Sequence, residues 1–428
     1  MKKFYDIAKN ILFPINRSLT GLGVVKTLTI IKKEFPLLKI RRFKSGTKVY
    51  DWTIPPEWNL KKAYIVDKDN KKIIDFKNNN LHVFGYSIPI KKTLNKKNLF
   101  KNIHYLEKQP SAIPYITSYY KRRWGFCLPY NQFKKLNKKY LPTDKFKVLI
   151  DSSFKSNGSL NYGEIILRGK SKKEILVSTY ICHPSMANNE LSGIIVSMAL
   201  IKYFYKKKLN KTLRFIFIPE TIGSIAYISR NLDYLKKNVI GGFNLTTIGD
   251  ERQHSCMFSK YKNSPSDEAI VEAYKQLKIT NFKIYTFLER GSDERQYNSP
   301  GVDLKISSIF RSKYGDYPEY HTSLDDFNLV TLKGCQGGFN VAKKSIEILQ
   351  KRIFPKHVLN CEPQMSKRGL YPTLSLKGKK SNSRNLMNFL QYADGTNSLE
   401  KISKIINLNI SDIKKINKTL LKHKLIKN

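Results

Sequence analysis

Residues 178–193 read STYICHPSMANNELSG. The hydrophobic run that leads into them predicts a buried strand, and the apolar stretch that follows predicts a helix. The strand therefore ends at His183 and a polar loop, which is where ligands bind in open α/β sheets. Asn189 and Glu190 follow in the same loop, so several metal-competent groups can be directed at one point. This arrangement outlines a metallohydrolase site.

Outward from this loop, candidate strands and helices alternate along the chain. Apolar runs predict strands over residues 145–153, 159–169, 174–182, 212–219, 239–248 and 303–310. Helical periodicity predicts helices over residues 191–206, 223–236, 266–276 and 331–351. Such alternation is typical of a mixed, mainly parallel sheet covered by helices on both faces. The predicted fold class is therefore α/β.

The flanking regions predict additions to this core. Helices are predicted over residues 2–13 and 22–34, and short strands over 48–53, 62–67, 72–75 and 81–90. Short helices over 385–392, 398–407 and 411–423 predict a winged-helix-like module. We therefore expect N-terminal helices of the core in 1–37, a small β-rich insert in 38–108, the α/β core in 109–360 and the module in 366–428.

The chain carries a formal net charge of +45 over 428 residues. A nucleic-acid or anionic-membrane partner would explain this charge. A Lys- and Asn-rich composition imposed by a biased genome, with solvated lysines on every face, also explains it. The basic residues are spread along the whole chain, which favours the second explanation.

Cysteine usage and the absence of long apolar runs favour a cytoplasmic location. The five cysteines are odd in number and include no CxxC pair, which disfavours a disulfide framework and a thiolate zinc site. The apolar run of the first eighteen residues is short and interrupted, which makes a poor signal peptide. No run of eighteen apolar residues occurs, so we expect no membrane-spanning helix.

The predicted C-terminal module has a basic last helix that could contact DNA. Its candidate reading residues are all lysines, and it lacks an arginine for bidentate contacts with bases: Lys414, Lys415, Lys418 and Lys422. A docking or homo-oligomer role is therefore favoured over DNA recognition for this module.

A second strand-end acid occurs in FIPETIGS, residues 217–224. An apolar strand ends at Glu220, and Gly223 allows the next helix to approach closely. A carboxylate at a strand end, above a metal-bound water, is well placed to act as a general base. Glu220 could instead favour the N-terminus of the following helix by its charge, and the two roles are compatible.

Two later loops and one aromatic segment supply further candidate groups. GSDERQY, residues 291–297, is a compact charge cluster containing Arg295, and it either joins the site or fixes a loop. PEYHTSLDD, residues 318–326, supplies His321, or its polar residues cap the helix that follows. The run 115–126, rich in aromatics and cations, is either a binding loop or a packed junction. Loops of one α/β sheet that carry such groups favour a single site.

Motifs spread over nearly the whole chain carry a family resemblance. They are LFPINRSLTG, YDWTIPPEWN, LHVFGYSIP, TSYYKRRWGFC, STYICHPS, LSG, FIPETIGSIAYISRN, GSDERQY and YGDYPEYHTSLDD. Together they resemble bacterial aminopeptidase-like proteins, largely of unknown function, that occur with polysaccharide and sialic-acid-type biosynthesis genes. That family is similar in core fold to di-zinc exopeptidases, with a small β insert and a C-terminal winged helix added.

The resemblance implies roles for individual residues. His183 and His321 fall on zinc ligands, and Glu220 falls on the general base. Arg295 or Tyr320 would stabilise the oxyanion. In that mechanism the metal lowers the pKa of a water, and Glu220 takes its proton.

The resemblance also implies that ligands have been lost. Asn189 falls where the exopeptidases carry a bridging Asp, and Thr221 and Thr246 fall on a Glu and an Asp ligand. A set of His, His and Asn is neutral and holds Zn²⁺ more weakly than a set with a carboxylate. Glu190 could substitute if the loop shifts, and Asp293 or Glu220 could be recruited as well. We therefore expect one zinc ion, weakly bound or absent.

Three functions follow from these residues and from the resemblance. The first is a metal-dependent amide or peptide hydrolase, acting on a peptide or N-acylated small molecule linked to surface-polysaccharide biosynthesis. The second is a catalytically inactive binding or scaffold protein, which the replacement by Asn189 favours. The third is a nucleic-acid binder that uses the basic C-terminal module.

Overall fold

The computed structural model describes residues 1–371 and 382–428. These residues form two compact units, Met1–Ile346 and Glu347–Asn428. Part of the predicted C-terminal module, residues 372–381, lies outside the described residues. Among the helices described, none combines the length and the apolarity needed to cross a lipid bilayer.

The helices and strands are labelled in chain order. The helices are α1 (Lys2–Ile7), α2 (Leu22–Glu34), α3 (Lys96–Phe100), α4 (Tyr130–Lys139), α5 (Ser192–Phe204), α6 (Ile222–Asn238), α7 (Pro265–Gln276), α8 (Glu294–Tyr297), α9 (Leu332–Lys351), α10 (Asn382–Tyr392), α11 (Leu399–Ile405) and α12 (Ile410–Lys422). The strands are β1 (Lys39–Lys44), β2 (Lys48–Val49), β3 (Trp52–Thr53), β4 (Glu57–Val66), β5 (Lys72–Asp75), β6 (Ile90–Asn95), β7 (Ile103–His104), β8 (Phe126–Cys127), β9 (Lys145–Lys155), β10 (Ser159–Leu167), β11 (Ser171–Tyr180), β12 (Lys211–Ile218), β13 (Val239–Leu245), β14 (His254–Met257), β15 (Phe282–Tyr285), β16 (Ile306–Phe310), β17 (Lys356–His357) and β18 (Ile426–Lys427).

The first unit is built on a large sheet with the strand order β1-β10-β12-β11-β13-β16-β14-β15. Its centre is parallel, from β12 through β11 and β13 to β16, and antiparallel pairs occur toward both edges. Every residue of β12 is buried, as expected for an apolar strand covered on both faces. Helices α2, α5, α6 and α7 pack on strands of this sheet. The predicted α/β fold class is confirmed.

The parallel pairing of β11 and β12 positions the candidate site. Tyr180 lies opposite Ile218 at the ends of the two strands. The backbone N–H of Ile181 donates to the carbonyl of Ile218 at 3.0 Å, so the pairing continues past the strand ends. His183 and Glu220 therefore emerge side by side at the same edge of the sheet.

A smaller sheet with the order β5-β4-β9-β6 has its own apolar core. The strand predicted over 145–153 forms as β9, but it belongs to this sheet rather than to the large one. Alternate residues of β9, namely Phe146, Val148 and Ile150, are buried in the small core. Helix α4 was not predicted, and it adds Leu136 to the same core.

Other differences from the predicted elements have local causes. The strand predicted over 81–90 is a 3₁₀ turn, Asn80–His82, followed by a loop, and β6 begins only at Ile90. Tyr86 has φ 64°, in the left-handed region, which interrupts an extended chain there. Strands β14 and β15 span four residues each, too short for a periodic pattern to reveal.

The second unit contains α10, α11 and α12 with the antiparallel pair β17 and β18. Its core includes Phe389, Ile402, Ile413 and Leu420, which lie on the three helices. Ser398 caps α11 by accepting from the N–H of Lys401 at 3.3 Å. The three predicted helices are therefore present, and strand β17 is an addition that the sequence did not indicate.

Candidate active site

Two histidines and one glutamate form the centre of the candidate site. Nε2 of His183 lies 3.7 Å from Oε2 of Glu220. The ring of His321, from the loop after β16, has its centroid 5.5 Å from that of His183. The backbone N–H of Tyr115 donates to the carbonyl of His321 at 2.8 Å. Three separate loops therefore meet at this point.

His321 is held as a neutral imidazole with a free nitrogen. The His321 ring stacks on the ring of Tyr320 with a centroid distance of 3.9 Å. The ring of Tyr115 lies edge-on to it at a centroid distance of 5.0 Å. Burial, and secondarily the charge of His183, lowers the pKa of His321 to about 3. Its Nε2 atom is buried and has no hydrogen-bond partner. A neutral imidazole with an unused nitrogen is the form that binds a metal ion.

A buried ion pair fixes the orientation of His183. Its Nδ1 atom and its backbone N–H both lie 3.0 Å from Oε2 of Glu190. Nε of Arg17 lies 3.2 Å from the other carboxylate oxygen of Glu190 and 3.0 Å from the carbonyl of His183. Burial alone would lower the pKa of His183, but its contacts with Cys182 and Glu190 outweigh burial and raise the pKa well above its usual value.

This geometry gives Glu190 a position that supports His183. The carboxylate holds Nδ1, while Nε2 of the same ring faces Glu220. Cys182 adjoins both residues, and burial raises the pKa of its thiol to about 11, so it stays neutral. A carboxylate on the far nitrogen of a metal-binding histidine is a common arrangement that orients the ring. Cys182, His183 and Glu190 also offer ligand atoms that lie within 4.8 Å of one another, so the expectation that Glu190 could replace the missing ligand stays a prediction.

Tyr180 links Asn189 to His183, because it contacts both residues. The phenol of Tyr180 donates to Oδ1 of Asn189 at 2.7 Å, and its ring lies 5.1 Å from that of His183. The backbone N–H of Asn189 donates to Asp325 at 2.9 Å, which fixes the loop. Nδ2 of Asn189 is buried and has no partner. Thr246 shares the same phenol, since its hydroxyl contacts Tyr180.

Thr221, the residue that follows Glu220, contacts Arg295. Thr221 has φ 62°, and its N–H donates to Oδ1 of Asp293 at 2.7 Å. Nη2 of Arg295 donates to the hydroxyl of Thr221 at 2.7 Å. Burial, together with the charge of Glu220, raises the pKa of Asp293 to about 7. A cation therefore lies at the residue that the resemblance matched to a ligand of a second zinc.

Glu220 has an environment suited to accepting a proton. Burial raises its pKa above the ordinary glutamate value, although the positive charges of His183 and Arg295 oppose the shift. Tyr320 lies near enough for the charge of Glu220 to raise the pKa of its phenol, after the larger effect of burial. Arg295 and Tyr320 are thus both placed around Glu220, where the sequence proposed oxyanion donors.

Several buried polar atoms around the site lack a hydrogen-bond partner among the described residues. Buried polar atoms without partners gather around the site: Nε2 of His321, Nδ2 of Asn189, Oγ of Ser292, Oδ2 of Asp293 and Nε of Arg295. Native interiors leave few such atoms, so this group indicates a place for a ligand, an ion or water. Among the described residues, the metal-competent atoms that lie within 4.8 Å of one another belong to Cys182, His183 and Glu190, and His321 lies outside that group. The pairing of Thr221 with a guanidinium does not fit a second ion.

Sequence reasoning missed three residues that support the site. Arg17 is 1% exposed and binds Glu190, and Tyr115 and Tyr180 both pack against His183. Arg17 belongs to the LFPINRSLTG motif and Tyr180 to STYICHPS. Membership in these motifs was the one available signal for Arg17 and Tyr180. The sequence alone does not show that either side chain is buried against the site.

Two family models match the chain. The model described as Domain of unknown function (DUF4910) matches residues 5–352. A winged helix-turn-helix model matches residues 353–428. The chain belongs to the DUF4910 family. The second match confirms the winged-helix character predicted for the C-terminal part of this DUF4910 protein.

Similar proteins link the DUF4910 fold to aminopeptidases. A Clostridium acetobutylicum protein, named for polysaccharide biosynthesis and an aminopeptidase-like domain, is 43% identical over 361 residues, which are 84% of this chain and 81% of the relative. A crystal structure of a C. acetobutylicum protein named as a peptidase has 39% identity and a TM-score of 0.79, covering 100% of this chain and 96% of that chain. The predicted aminopeptidase-like family is confirmed.

A more distant structure shows the fold alone. BSAP, a zinc aminopeptidase from Bacillus subtilis, has 14% identity and a TM-score of 0.58, and the match covers 80% of this chain and 93% of that one. The peptidase-like core of the DUF4910 protein thus has the zinc aminopeptidase fold predicted from its sequence motifs.

Proposed function

We propose that this DUF4910 protein is an amide hydrolase that uses one metal ion. The observation that carries the proposal is the free, buried Nε2 of His321 beside His183. The Nδ1 atom of His183 is held by Glu190, and its Nε2 atom approaches Glu220. This is the arrangement expected of two imidazole ligands next to a general base.

The substrate proposed is a peptide or an N-acylated small molecule linked to surface-polysaccharide biosynthesis. Support comes from the relative at 43% identity, which is named for polysaccharide biosynthesis and an aminopeptidase-like domain. Zinc is the proposed ion, because BSAP has the same fold and is a zinc aminopeptidase, and because imidazole suits zinc. His183 and His321 would hold it, and Asn189 would offer at most a neutral oxygen.

The residues of the chain divide the chemistry among them. A bound zinc ion would polarise the amide carbonyl and lower the pKa of a water. Glu220 accepts a proton from the attacking water and returns it to the leaving nitrogen, and its raised pKa suits both steps. Tyr320 is the donor to the oxygen that develops negative charge.

A second candidate function is ligand binding without hydrolysis. Asn189, Thr221 and Thr246 all stand where the resemblance expects carboxylate ligands. Neutral residues there would leave zinc weakly held, and the protein would then keep the cleft for recognition alone. Zinc content and hydrolysis separate the two functions.

The test is zinc titration of metal-free protein, followed by amide hydrolysis of acylated amino acids and dipeptides at saturating zinc. We expect weak zinc binding in the wild type and at least tenfold tighter binding in Asn189→Asp, which is about 1.4 kcal/mol. Asn263→Asp, at an exposed position, is the charge-matched control and should leave zinc affinity unchanged.

Hydrolysis should follow zinc occupancy in both forms, and Glu220→Gln should abolish it while zinc still binds. If neither the wild type nor Asn189→Asp hydrolyses any amide when zinc is bound, the result would favour the binding function. Tight zinc binding that survives replacement of both His183 and His321 would exclude the proposed site.

A further inference from the structure

We infer that a cationic cavity, joined through Arg295 to the loop of Glu220, binds a negatively charged group of the substrate. The inference rests on the proposed function, because it assigns the cavity to the molecule whose amide reaches Glu220. The ligand class is a small amide that also carries a carboxylate or a phosphate.

The cavity has a volume of about 450 Å³. Its lining includes three cations, Lys260, Arg290 and Arg295, with the amide side chain of Gln296. Asn298 also borders it, but its side chain is buried and hydrogen-bonded to backbone groups. None of the residues that line it is acidic. The cavity is therefore positive in charge and carries polar groups that can orient a ligand.

Arg295 joins this cavity to the candidate active site. Its Nη2 atom binds the hydroxyl of Thr221, the residue that follows Glu220. Its Nε atom is buried and has no hydrogen-bond partner. Glu294 does not neutralise it, because the Glu294 carboxylate accepts from the backbone N–H groups of Gly291 and Ser292 and from the phenol of Tyr314. An unsatisfied donor on a guanidinium is suited to a carboxylate or phosphate oxygen.

Arg290 supplies a second guanidinium. It is exposed, lies over the ring of Phe287 at 5.1 Å, and donates to the carbonyl of that residue at 3.3 Å. Within residues 1–371 and 382–428, neither Arg290 nor Arg295 forms an ion pair with a carboxylate. Lys260 differs, since its ammonium lies 2.7 Å from Asp303 and is partly neutralised. The two arginines therefore carry the uncompensated charge of the cavity.

The position of the cavity limits the ligand. Arg295 lines the cavity and contacts Thr221, the residue after Glu220, so the cavity and the candidate active site share this arginine. Guanidinium groups match the planar or tetrahedral oxygens of carboxylate and phosphate by paired hydrogen bonds. The ligand expected is therefore one whose anionic group binds these guanidinium groups and whose amide reaches Glu220.

The general basicity of the chain, +45, could also attract anions without a site. A test must therefore separate local from overall charge. Titration calorimetry on zinc-free protein would compare N-acetylalanine with its neutral amide, N-acetylalaninamide, and with inorganic phosphate. We expect N-acetylalanine to bind at least tenfold more tightly than the neutral amide. Phosphate that competes with it would place phosphate in the same cavity, and phosphate that fails to compete would restrict the ligand to carboxylates.

Matched variants locate the binding. Arg290→Gln and Arg295→Gln should each weaken N-acetylalanine binding at least tenfold. Lys275→Gln removes the same charge at an exposed position of α7, outside the cavity, and should change nothing. Equal losses in Arg290→Gln and Lys275→Gln, or equal binding of acid and neutral amide, would overturn the inference. These measurements need neither zinc nor hydrolysis, so they fail or succeed independently of the proposed function.

Discussion

At the scale of single residues, the orientation of the candidate ligand His183 depends on a buried ion pair between Arg17 and Glu190. Arg17 and Glu190 have fully buried side chains and face each other at 3.2 Å. Glu190 in turn holds Nδ1 of His183. Partners of this kind usually change metal affinity by about 10–100-fold when they are removed. Arg17 is therefore a positioning residue that acts through Glu190.

The substitution Arg17→Met should lower zinc affinity by about 10–100-fold. It should also destabilise the fold by about 3–5 kcal/mol, because the buried Glu190 carboxylate loses its partner. Zinc titration and urea unfolding of the zinc-free protein would measure the two effects separately.

The double variant Arg17→Met with Glu190→Gln is the control for this prediction. It removes both charges and should recover much of the stability without recovering zinc affinity. Unchanged zinc affinity in Arg17→Met, at intact stability, would show that the ion pair does not orient His183.

At the scale of elements, a second buried charge network joins three strands of the large sheet. Arg214 on β12 pairs with Glu174 on β11 through Nε at 2.6 Å and Nη2 at 3.0 Å. It also contacts Glu164 on β10, which accepts from the phenol of Tyr227 at 2.8 Å. Strands β11 and β12 carry His183 and Glu220 at their ends, so this network supports the elements under the site.

The substitution Arg214→Leu should destabilise the protein by about 3–5 kcal/mol, because the buried Glu174 carboxylate loses its cation. Among the described residues, Glu164 then keeps only the half-exposed Arg41 as an ion-pair partner. Urea unfolding would measure the loss. Arg41→Leu is a suitable control, since Arg41 lies 3.5 Å from the same Glu164 but is 49% exposed. An exposed pair contributes about 0–1 kcal/mol. Equal losses in the two variants would contradict the assignment of the network as a buried support.

At the scale of the whole molecule, charge is the dominant property. The net charge of +45 predicts association with polyanions that weakens steeply with salt. In the winged-helix part, helix α12 exposes lysines, among them Lys414, Lys418 and Lys422. The sequence of α12 contains no arginine. Lysine contacts with phosphate carry no sequence information.

We therefore expect the full chain to bind DNA without sequence preference. Fluorescence anisotropy with duplexes of random and selected sequence, at several salt concentrations, would measure this. Affinities should be similar for all duplexes and should fall together as salt rises. Sequence-selective binding at about 10⁻⁸ M and physiological salt, the range of specific readers, would contradict a docking or homo-oligomer role for this module.

Much of the fold could be predicted because long elements leave periodic patterns. The apolar run of β12 and the helical pattern of α5 each indicated the element directly. The strand at 145–153 was found, but its sheet was not, because the pairing of β9 with β4 and β6 depends on contacts distant in sequence. The short strands β14 and β15 left no pattern, and their place at the sheet edge follows from pairing alone.

By itself, the sequence determined the order strand, histidine, polar loop and helix around His183, and the acid at the end of the next strand, because both follow from local periodicity. Only the tertiary structure decided that Glu190 contacts Nδ1 of His183, and that Arg17, 173 residues away from Glu190, contacts the same carboxylate. Packing of the N-terminal segment against the loop creates that contact. A buried charge pair of this kind has no signature in either segment alone.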